Sequence, residues 1–160
     1  MANDRVVRDS LVDAARKGEF PGVKELRARV ALGDQASLIL LGHLYFRGVG
    51  GVRKDYGEAL YWFRKFKLEH DVTGFVAAHL AKIHYLGLGV PRSRRVAARY
   101  LRSAALRGHG KSRIAFAMLQ KKGDGTLMKP RAANTLLRAS ACDSRLGVMT
   151  RLAALFCFLG

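Results

Sequence analysis

The side chains that most often carry out enzyme chemistry are sparse in this sequence, and their spacing supports no catalytic site. His79 and His84 are five residues apart, so on a helix they point in different directions and make a poor metal chelate. The only carboxylates after residue 72 are Asp124 and Asp143, and Asp124 stands in a predicted turn, where aspartate is common. No nucleophile elbow and no Gly-Lys-Ser/Thr loop occurs. The sequence predicts a protein that is not an enzyme, with no catalytic residues, metal site or cofactor.

Arginine and lysine are the abundant charged side chains, and both favour contacts with carboxylate or phosphate. The 160 residues contain 29 Lys+Arg and 12 Asp+Glu, a formal net charge of +17. Residues 73–160 hold 16 of the cations and two of the acids, and arginine exceeds lysine 19 to 10 over the whole chain. Arginine makes paired hydrogen bonds with carboxylate and phosphate alike. This imbalance predicts that the C-terminal half binds an acidic partner.

The cations of this half fall into two groups. Arg95, Arg99 and Arg102 are spaced i, i+4 and i+7, so they share one face of a predicted helix. With cations in the flanking turns they make up an outer group, and the neighbouring predicted helices carry an inner group. The predicted partner-binding residues are Arg92, Arg94, Arg95, Arg99, Arg102, Lys129 and Arg131 in the outer group and Lys82, Lys121 and Lys122, with the aromatic Tyr85, in the inner group. Arg113 is a further cation expected on the inner face. Which group makes the contact stays open, as does the apolar anchor, for which Tyr45, Phe46, Tyr85 and the last helix are candidates.

The helices that must position these cations are set by a motif that occurs three times. Each copy is a helical run closed by Gly-x-Gly and followed by an Ala-rich helix, and the lead glycines Gly48, Gly87 and Gly123 are 39 and 36 residues apart. A period in this range is typical of stacked two-helix units, which usually form interaction surfaces. A phosphate-binding loop is not favoured, because no strand precedes any copy.

The residue types within the motif have a physical reason. A helix that stops and turns back needs a residue with positive φ at its end, and glycine adopts that conformation without a Cβ clash. Alanine lets two helices cross closely, and an aromatic residue three positions later covers the crossing. The predicted structural residues are Gly42, Tyr45, Gly48, Gly50, Ala59 and Trp62 in copy one, Gly87, Gly89 and Ala97 in copy two, and Gly123, Gly125 and Ala133 in copy three.

The motif resembles the Sel1-like repeat family, which is related to the tetratricopeptide repeats. Copy one fits the family pattern best, copy two has Ala81 for the helix glycine and His84 for the tyrosine, and copy three is degenerate, with Gln120 and Thr126 at family positions. The resemblance covers about residues 36–142. It implies a right-handed α-solenoid that works as an adaptor or scaffold for other proteins, and it carries over no catalytic residues.

The expected fold is all-α, a single domain over 1–160 with about three two-helix repeats and flanking helices. The expected divisions are an N-terminal helix pair (1–34), repeats at 35–71, 72–110 and 111–143, and a C-terminal helix (144–160). Helices are predicted near 5–17, 21–32, 35–47, 55–68, 73–86, 93–107, 111–122, 130–141 and 144–158. The last helix is rich in leucine and phenylalanine, so we expect it to cap the third repeat or to dock a partner or a second copy.

The sequence also indicates in which cellular compartment the protein works and which class of molecule it binds. The N-terminal residues show no signal-peptide pattern, the longest apolar stretch is too short to span a membrane, and Cys142 and Cys157 form no Cys-x-x-Cys pair, which together favour a cytoplasmic protein. The favoured partner is an acidic protein. Nucleic acid, bound through phosphates on the same surface, is the alternative, although Tyr85 and Tyr100 occupy positions that usually pack. A membrane is the least favoured partner, and self-association through the C-terminal helix is a further option.

Overall fold

The computed structural model describes residues 22–143, 147, 148, 150–152 and 154. All regular structure among these residues is helical. The helices are α1 (Val23–Ala31), α2 (Gln35–Arg47), α3 (Tyr56–Lys65), α4 (Phe75–Leu86), α5 (Arg94–Leu106), α6 (Gly110–Lys122) and α7 (Pro130–Ala141), with a 3-10 turn at Leu68–His70. The predicted helix near 5–17 lies outside the described residues. The chain divides into two compact units, residues 1–72 and 73–160, called the first and second unit here.

In the first unit, α1 packs on α2 and α2 packs on α3. Aspartates cap the last two helices: Asp34 accepts a hydrogen bond from the backbone N–H of Ala36 (3.0 Å), and Asp55 accepts one from that of Gly57 (2.8 Å). A side-chain oxygen at this position satisfies a backbone donor that the helix leaves unpaired. The caps thus fix where α2 and α3 begin.

The close crossing of α2 and α3 depends on two small residues. Ala59 is fully buried, and a Cβ added to Gly42 would lie 2.6 Å from the ring of Phe63. Trp62 is buried beside the crossing, and its indole N–H donates to a carboxylate oxygen of Glu58 (3.0 Å). The ring of Phe63 therefore fills the space that the missing side chain of Gly42 leaves.

In the second unit, α4 packs on α5, α5 on α6 and α6 on α7. Ala97 of α5 and Ala133 of α7 are fully buried, as Ala59 is in the first unit. Ala154 is buried against the core of the α6–α7 pair, which includes Ile114 and Leu137. Ala154 belongs to the predicted C-terminal helix, so at this residue the segment packs on the third copy of the motif.

A backbone joint connects the two helices of each copy. The lead glycines Gly48, Gly87 and Gly123 end α2, α4 and α6 in the left-handed region, with φ of 69°, 71° and 68°. The residue before the second helix of each copy then donates its backbone N–H to a carbonyl oxygen in the last turn of the first helix. The donor–acceptor pairs are Asp55–Tyr45 (2.9 Å), Ser93–His84 (2.8 Å) and Lys129–Gln120 (2.9 Å). The degenerate third copy therefore has the same joint as the other two.

Candidate protein-binding surface

The two carboxylates of the second unit both pair with arginines of the same unit. Arg94 Nη1 lies 2.8 Å from Asp124 Oδ1, and Arg113 Nη2 lies 2.8 Å from Asp143 Oδ2. Because residues 73–160 contain only these two acids against 16 Lys+Arg, the pairs neutralise two cations and the unit keeps a net charge of +14. A surface with this charge attracts anionic groups over a distance of about one Debye length, roughly 8 Å at physiological salt.

Arg94, predicted as a partner-binding residue, also has a structural contact. Its side chain is 48% exposed and pairs with Asp124, which lies in the Gly-x-Gly turn of copy three. In the same turn, a Cβ added to Gly125 would lie 2.5 Å from the carbonyl oxygen of Arg94. The start of α5 and the copy-three turn are therefore in direct backbone contact.

The rest of the outer group lies on exposed positions of two helices. Arg95, Arg99 and Arg102 are exposed on α5, whose opposite face buries Ala97 and Ala104. Lys129 and Arg131 are exposed at the start of α7. The helical spacing thus places three arginines on one exposed face, and their contact with a partner stays a prediction.

An apolar groove of about 290 Å³ opens between α4 and α6, and we call it the alanine groove. Three alanines and two leucines make it apolar, while a lysine, a tyrosine and a methionine complete the wall. The lining residues are Ala78, Ala81, Lys82 and Tyr85 of α4, Leu101 of α5, and Ala115, Met118 and Leu119 of α6. Lys82 and Tyr85 are the members of the predicted inner group that line it.

Tyr85 is in contact with a cation from the other predicted group. The guanidinium carbon of Arg92 lies 5.6 Å from the centre of the Tyr85 ring, a cation–π arrangement. Arg92 belongs to the outer group and stands in the turn before α5. The structure therefore brings one residue of each group together at the edge of the alanine groove.

Two further lysines lie on the exposed stripe of α6. Lys111, Ala115, Met118 and Lys122 are spaced i, i+4, i+7 and i+11, so they share one face of the helix, and all four are exposed or half-exposed. Lys121 is half-buried and is rotated about 100° from Lys122 around the helix axis. Lys122 is therefore the more exposed of the two lysines that follow the groove-lining Met118 on α6, and the contact of either lysine with a partner stays a prediction.

Sequence reasoning missed Met118 and the alanines of the groove. Met118 is 37% exposed although it stands among the apolar residues of α6. The pair Ala78 and Ala81 was the available signal, because small residues at i and i+3 leave a depression on a helix surface. Phe46, considered as an anchor, is buried and packs edge-on against Tyr56 at 5.5 Å, so it belongs to the core of the first unit.

The other considered anchor, Tyr45, is held by neighbours in the first unit. Its hydroxyl oxygen accepts a hydrogen bond from Arg27 Nη2 (3.3 Å), and the same guanidinium lies 5.6 Å from the ring of Trp62. Tyr45 is half-exposed. Arg27 of α1 thus contacts both Tyr45 of α2 and Trp62 of α3. Through this arginine, both rings help to hold α1 on the α2–α3 pair.

Metal and membrane features are not found in the described part of the chain. No three His, Cys, Asp or Glu side chains there come together in a way that would hold a metal ion. None of the described helices is long and apolar enough to cross a membrane.

The family model of the Sel1 repeat matches residues 35–67 and 76–109, which span the α2–α3 and α4–α5 pairs and their joints. The chain contains Sel1 repeats. The predicted family is thereby confirmed. Sel1 repeats generally mediate protein–protein interaction. The α6–α7 pair lies outside both matched stretches, yet it has the same backbone joint.

Solved structures of Sel1-like proteins share the fold. The protective antigen c5321 of uropathogenic Escherichia coli, which displays an SLR fold, superposes with a TM-score of 0.68 at 21% identity over 86% of this chain and 32% of its own. A Sel1 repeat protein from Oxalobacter formigenes superposes with a TM-score of 0.67 at 19% identity over 83% of this chain and 96% of its own. The predicted all-α solenoid fold is confirmed. The chain thus spans about a third of the length of c5321. No curated protein matches the chain significantly.

Proposed function

We propose that this Sel1-repeat protein is a non-catalytic adaptor or scaffold whose basic second unit binds an acidic protein partner. The observation that carries the proposal is the net charge of +14 on residues 73–160. The two acids of the unit contact Arg94 and Arg113, so, apart from Arg94, they do not pair with the exposed cations of the outer group. Like charges on one small unit repel each other, and an acidic partner would relieve that repulsion. The protein–protein role of Sel1 repeats supports the choice of a protein as that partner.

The aromatic residues of the second unit favour a protein over nucleic acid. Single-stranded nucleic acid is usually held by exposed rings on which bases stack. Here Tyr100 is stacked on His84, with 5.7 Å between ring centres and 15° between planes, and the Tyr85 ring is in contact with Arg92. The apolar alanine groove is a feature that a protein side chain fills and a phosphate backbone does not.

Affinity capture tests the proposal. The tagged full chain is used as bait in native lysate, with and without nuclease, and retained species are identified by mass spectrometry. We expect an acidic protein to be retained after nuclease treatment and to bind the purified bait directly. Complete loss of retained species on nuclease treatment would favour the nucleic-acid alternative.

The salt dependence of binding is a second test that distinguishes an acidic protein partner from a nucleic acid. Binding through six or more phosphates falls by about a thousandfold or more between 50 and 200 mM salt. A protein interface that combines cations with apolar contacts depends less steeply on salt. We therefore expect the affinity for the retained protein to fall by about tenfold or less over that range.

The cytoplasm is the proposed location. Cys142 is an exposed free thiol in the described structure, and free thiols persist in reducing compartments. Fractionation of cells that express the chain at its natural level, with compartment markers, tests this point.

A further inference from the structure

We infer that the alanine groove is the site that receives the partner, and that its occupant is a short acidic segment of that partner with an apolar anchor residue. The inference rests on the proposed function and adds the location of the site and the chemistry of the bound segment.

The floor of the groove suits an apolar side chain. Ala78 and Ala81 of α4 and Ala115 of α6 keep the two helices free of bulky side chains at this level, and Leu101 and Leu119 complete an apolar lining. Pockets for drug-sized ligands and cofactors span about 300–1,000 Å³. A volume of about 290 Å³ is just below that range, so the groove fits one or two side chains and is small for a cofactor.

The walls of the groove carry positively charged side chains, and the two helices that form most of the wall contain no acidic residue. Lys82 lines the groove, and Arg92 lies over the ring of Tyr85 at its edge. Neither α4 nor α6 contains an aspartate or glutamate. A segment that places an apolar residue on the alanines would lie beside Lys82 and Arg92, and carboxylates would complement these two cations.

The spacing of the lysines on α6 sets the length of the segment. Lys111 and Lys122 are on the same face, one on each side of Ala115 and Met118, and 11 helical residues separate them by about 16 Å. An extended peptide covers that distance in about five residues, at roughly 3.3 Å per residue. The expected bound segment thus has acidic residues about five positions apart, with leucine or phenylalanine between them.

The second unit carries another cationic surface, and it has a different character. Arg95, Arg99 and Arg102 are exposed on α5, and none of them lines the alanine groove. Such a face supplies attraction over distance, while the groove supplies burial of apolar surface, which dominates the free energy of most protein association. The groove is therefore the better candidate for the specific contact.

Fluorescence anisotropy with a defined peptide tests the inference. The probe is a labelled octapeptide with two glutamates at each end and a Leu-Phe pair near the centre. One comparison peptide has serines in place of the Leu-Phe pair, and a second has glutamines in place of the glutamates. We expect each comparison peptide to bind the full chain at least about tenfold more weakly than the probe, because one lacks the anchor and the other lacks the charge.

Three groove variants and one matched control locate the site. Ala115→Trp fills the groove, Met118→Glu places an acid in its wall, and Lys122→Glu reverses a charge on the same face of α6. Each is expected to weaken probe binding by about tenfold or more. Arg53→Glu makes the same charge change at an exposed position of the first unit and is expected to weaken binding by no more than about threefold. Arg99→Glu tests the α5 face separately. Circular dichroism establishes that each variant keeps its helix content, and Met118→Glu and Lys122→Glu, at exposed positions, stand in if Ala115→Trp does not fold.

The outcomes separate the inference from the proposed function. If Arg99→Glu abolishes binding and the groove variants do not, the inference is overturned while the acidic-partner function stands. If the chain binds neither the probe nor any acidic protein from lysate, the proposed function fails as well. A monomer–dimer equilibrium that Ala115→Trp abolishes would identify a second copy as the occupant and overturn the inference. Binding of a single-stranded RNA that displaces the probe and is insensitive to Ala115→Trp would do the same.

Discussion

Arg113 and Asp143 form a largely buried ion pair that links α6 to the end of α7. The guanidinium Nη2 lies 2.8 Å from the carboxylate, and the side chains are 15% and 11% exposed. Arg113 Nε also donates to the hydroxyl oxygen of Ser140 (2.7 Å), and that hydroxyl donates to the carbonyl of Leu136 (2.8 Å). One arginine thereby connects both helices of the third copy through a chain of hydrogen bonds.

Asp143→Asn is expected to lower the free energy of unfolding by about 3 kcal/mol, because it leaves the buried guanidinium of Arg113 without its counter-charge. Asp124→Asn is the matched control. It removes the carboxylate that pairs with Arg94, where the side chains are 48% and 20% exposed, and we expect it to cost about 1 kcal/mol or less. Urea denaturation of the three proteins measures both values. Equal costs would show that burial does not distinguish the two pairs.

Gly125→Ala is expected to destabilise the chain through two effects. Gly125 has a φ of 73°, and a Cβ there would lie 2.5 Å from the backbone of Arg94. Gly108→Ala has the same conformational cost without the clash, since Gly108 has a φ of 86° and nothing within 4 Å of the added carbon. We expect about 1–2 kcal/mol for Gly108→Ala and about 1–3 kcal/mol more for Gly125→Ala. Thermal or urea denaturation gives the difference, and a difference near zero would mean that α5 and the turn separate at little cost.

Gly42→Ala tests the close crossing in the first unit. The added Cβ would lie 2.6 Å from the ring of Phe63, so we expect a loss of about 1–3 kcal/mol from overpacking. In the Phe63→Leu background the smaller side chain leaves room, and the same Gly42→Ala change should cost less. A double-mutant cycle by urea denaturation gives the coupling energy. Additive costs would show that α2 and α3 move apart to accept the methyl group.

Stability should decrease as the pH falls below about 6.5, with a contribution from His43. Burial lowers the pKa of His43 from its ordinary value of 6.5, and the positive charge of Arg47 lowers it further. Because the unfolded chain binds the proton at a higher pH than the folded chain, acidification favours the unfolded state through this group. His43→Gln should flatten the dependence of unfolding free energy on pH as the pH falls below about 6.5. An unchanged slope in the His43→Gln variant would exclude the contribution of His43.

The helix ends were predictable where glycine determines them. The prediction ended three helices at residues 47, 86 and 122, where α2, α4 and α6 do end, because the next residue in each case is a glycine with positive φ. The prediction was less accurate where packing decides. The helix predicted over 55–68 corresponds to α3, which ends at Lys65, since Phe66 takes an extended conformation and is buried. Burial of one side chain depends on the whole unit and leaves no local signal in the sequence.

The candidate site was predictable in its charge but not in its shape. The excess of cations after residue 72 is a count that the sequence gives directly. The pairing of Arg94 with Asp124 and of Arg113 with Asp143 joins residues 30 positions apart, and such pairs depend on how helices pack. The alanine groove likewise depends on the separation of α4 and α6, so its lining residues could be named only from the structure.

The joint within each copy is closed by main-chain atoms alone, the amide of one residue and the carbonyl of another. The side chain at the accepting position is therefore unconstrained by the bend itself, and the three copies place tyrosine, histidine and glutamine there. Two of these side chains, His84 and Gln120, are buried. A substitution there therefore changes how the two helices pack, while the main-chain hydrogen bond of the joint stays available to any residue type.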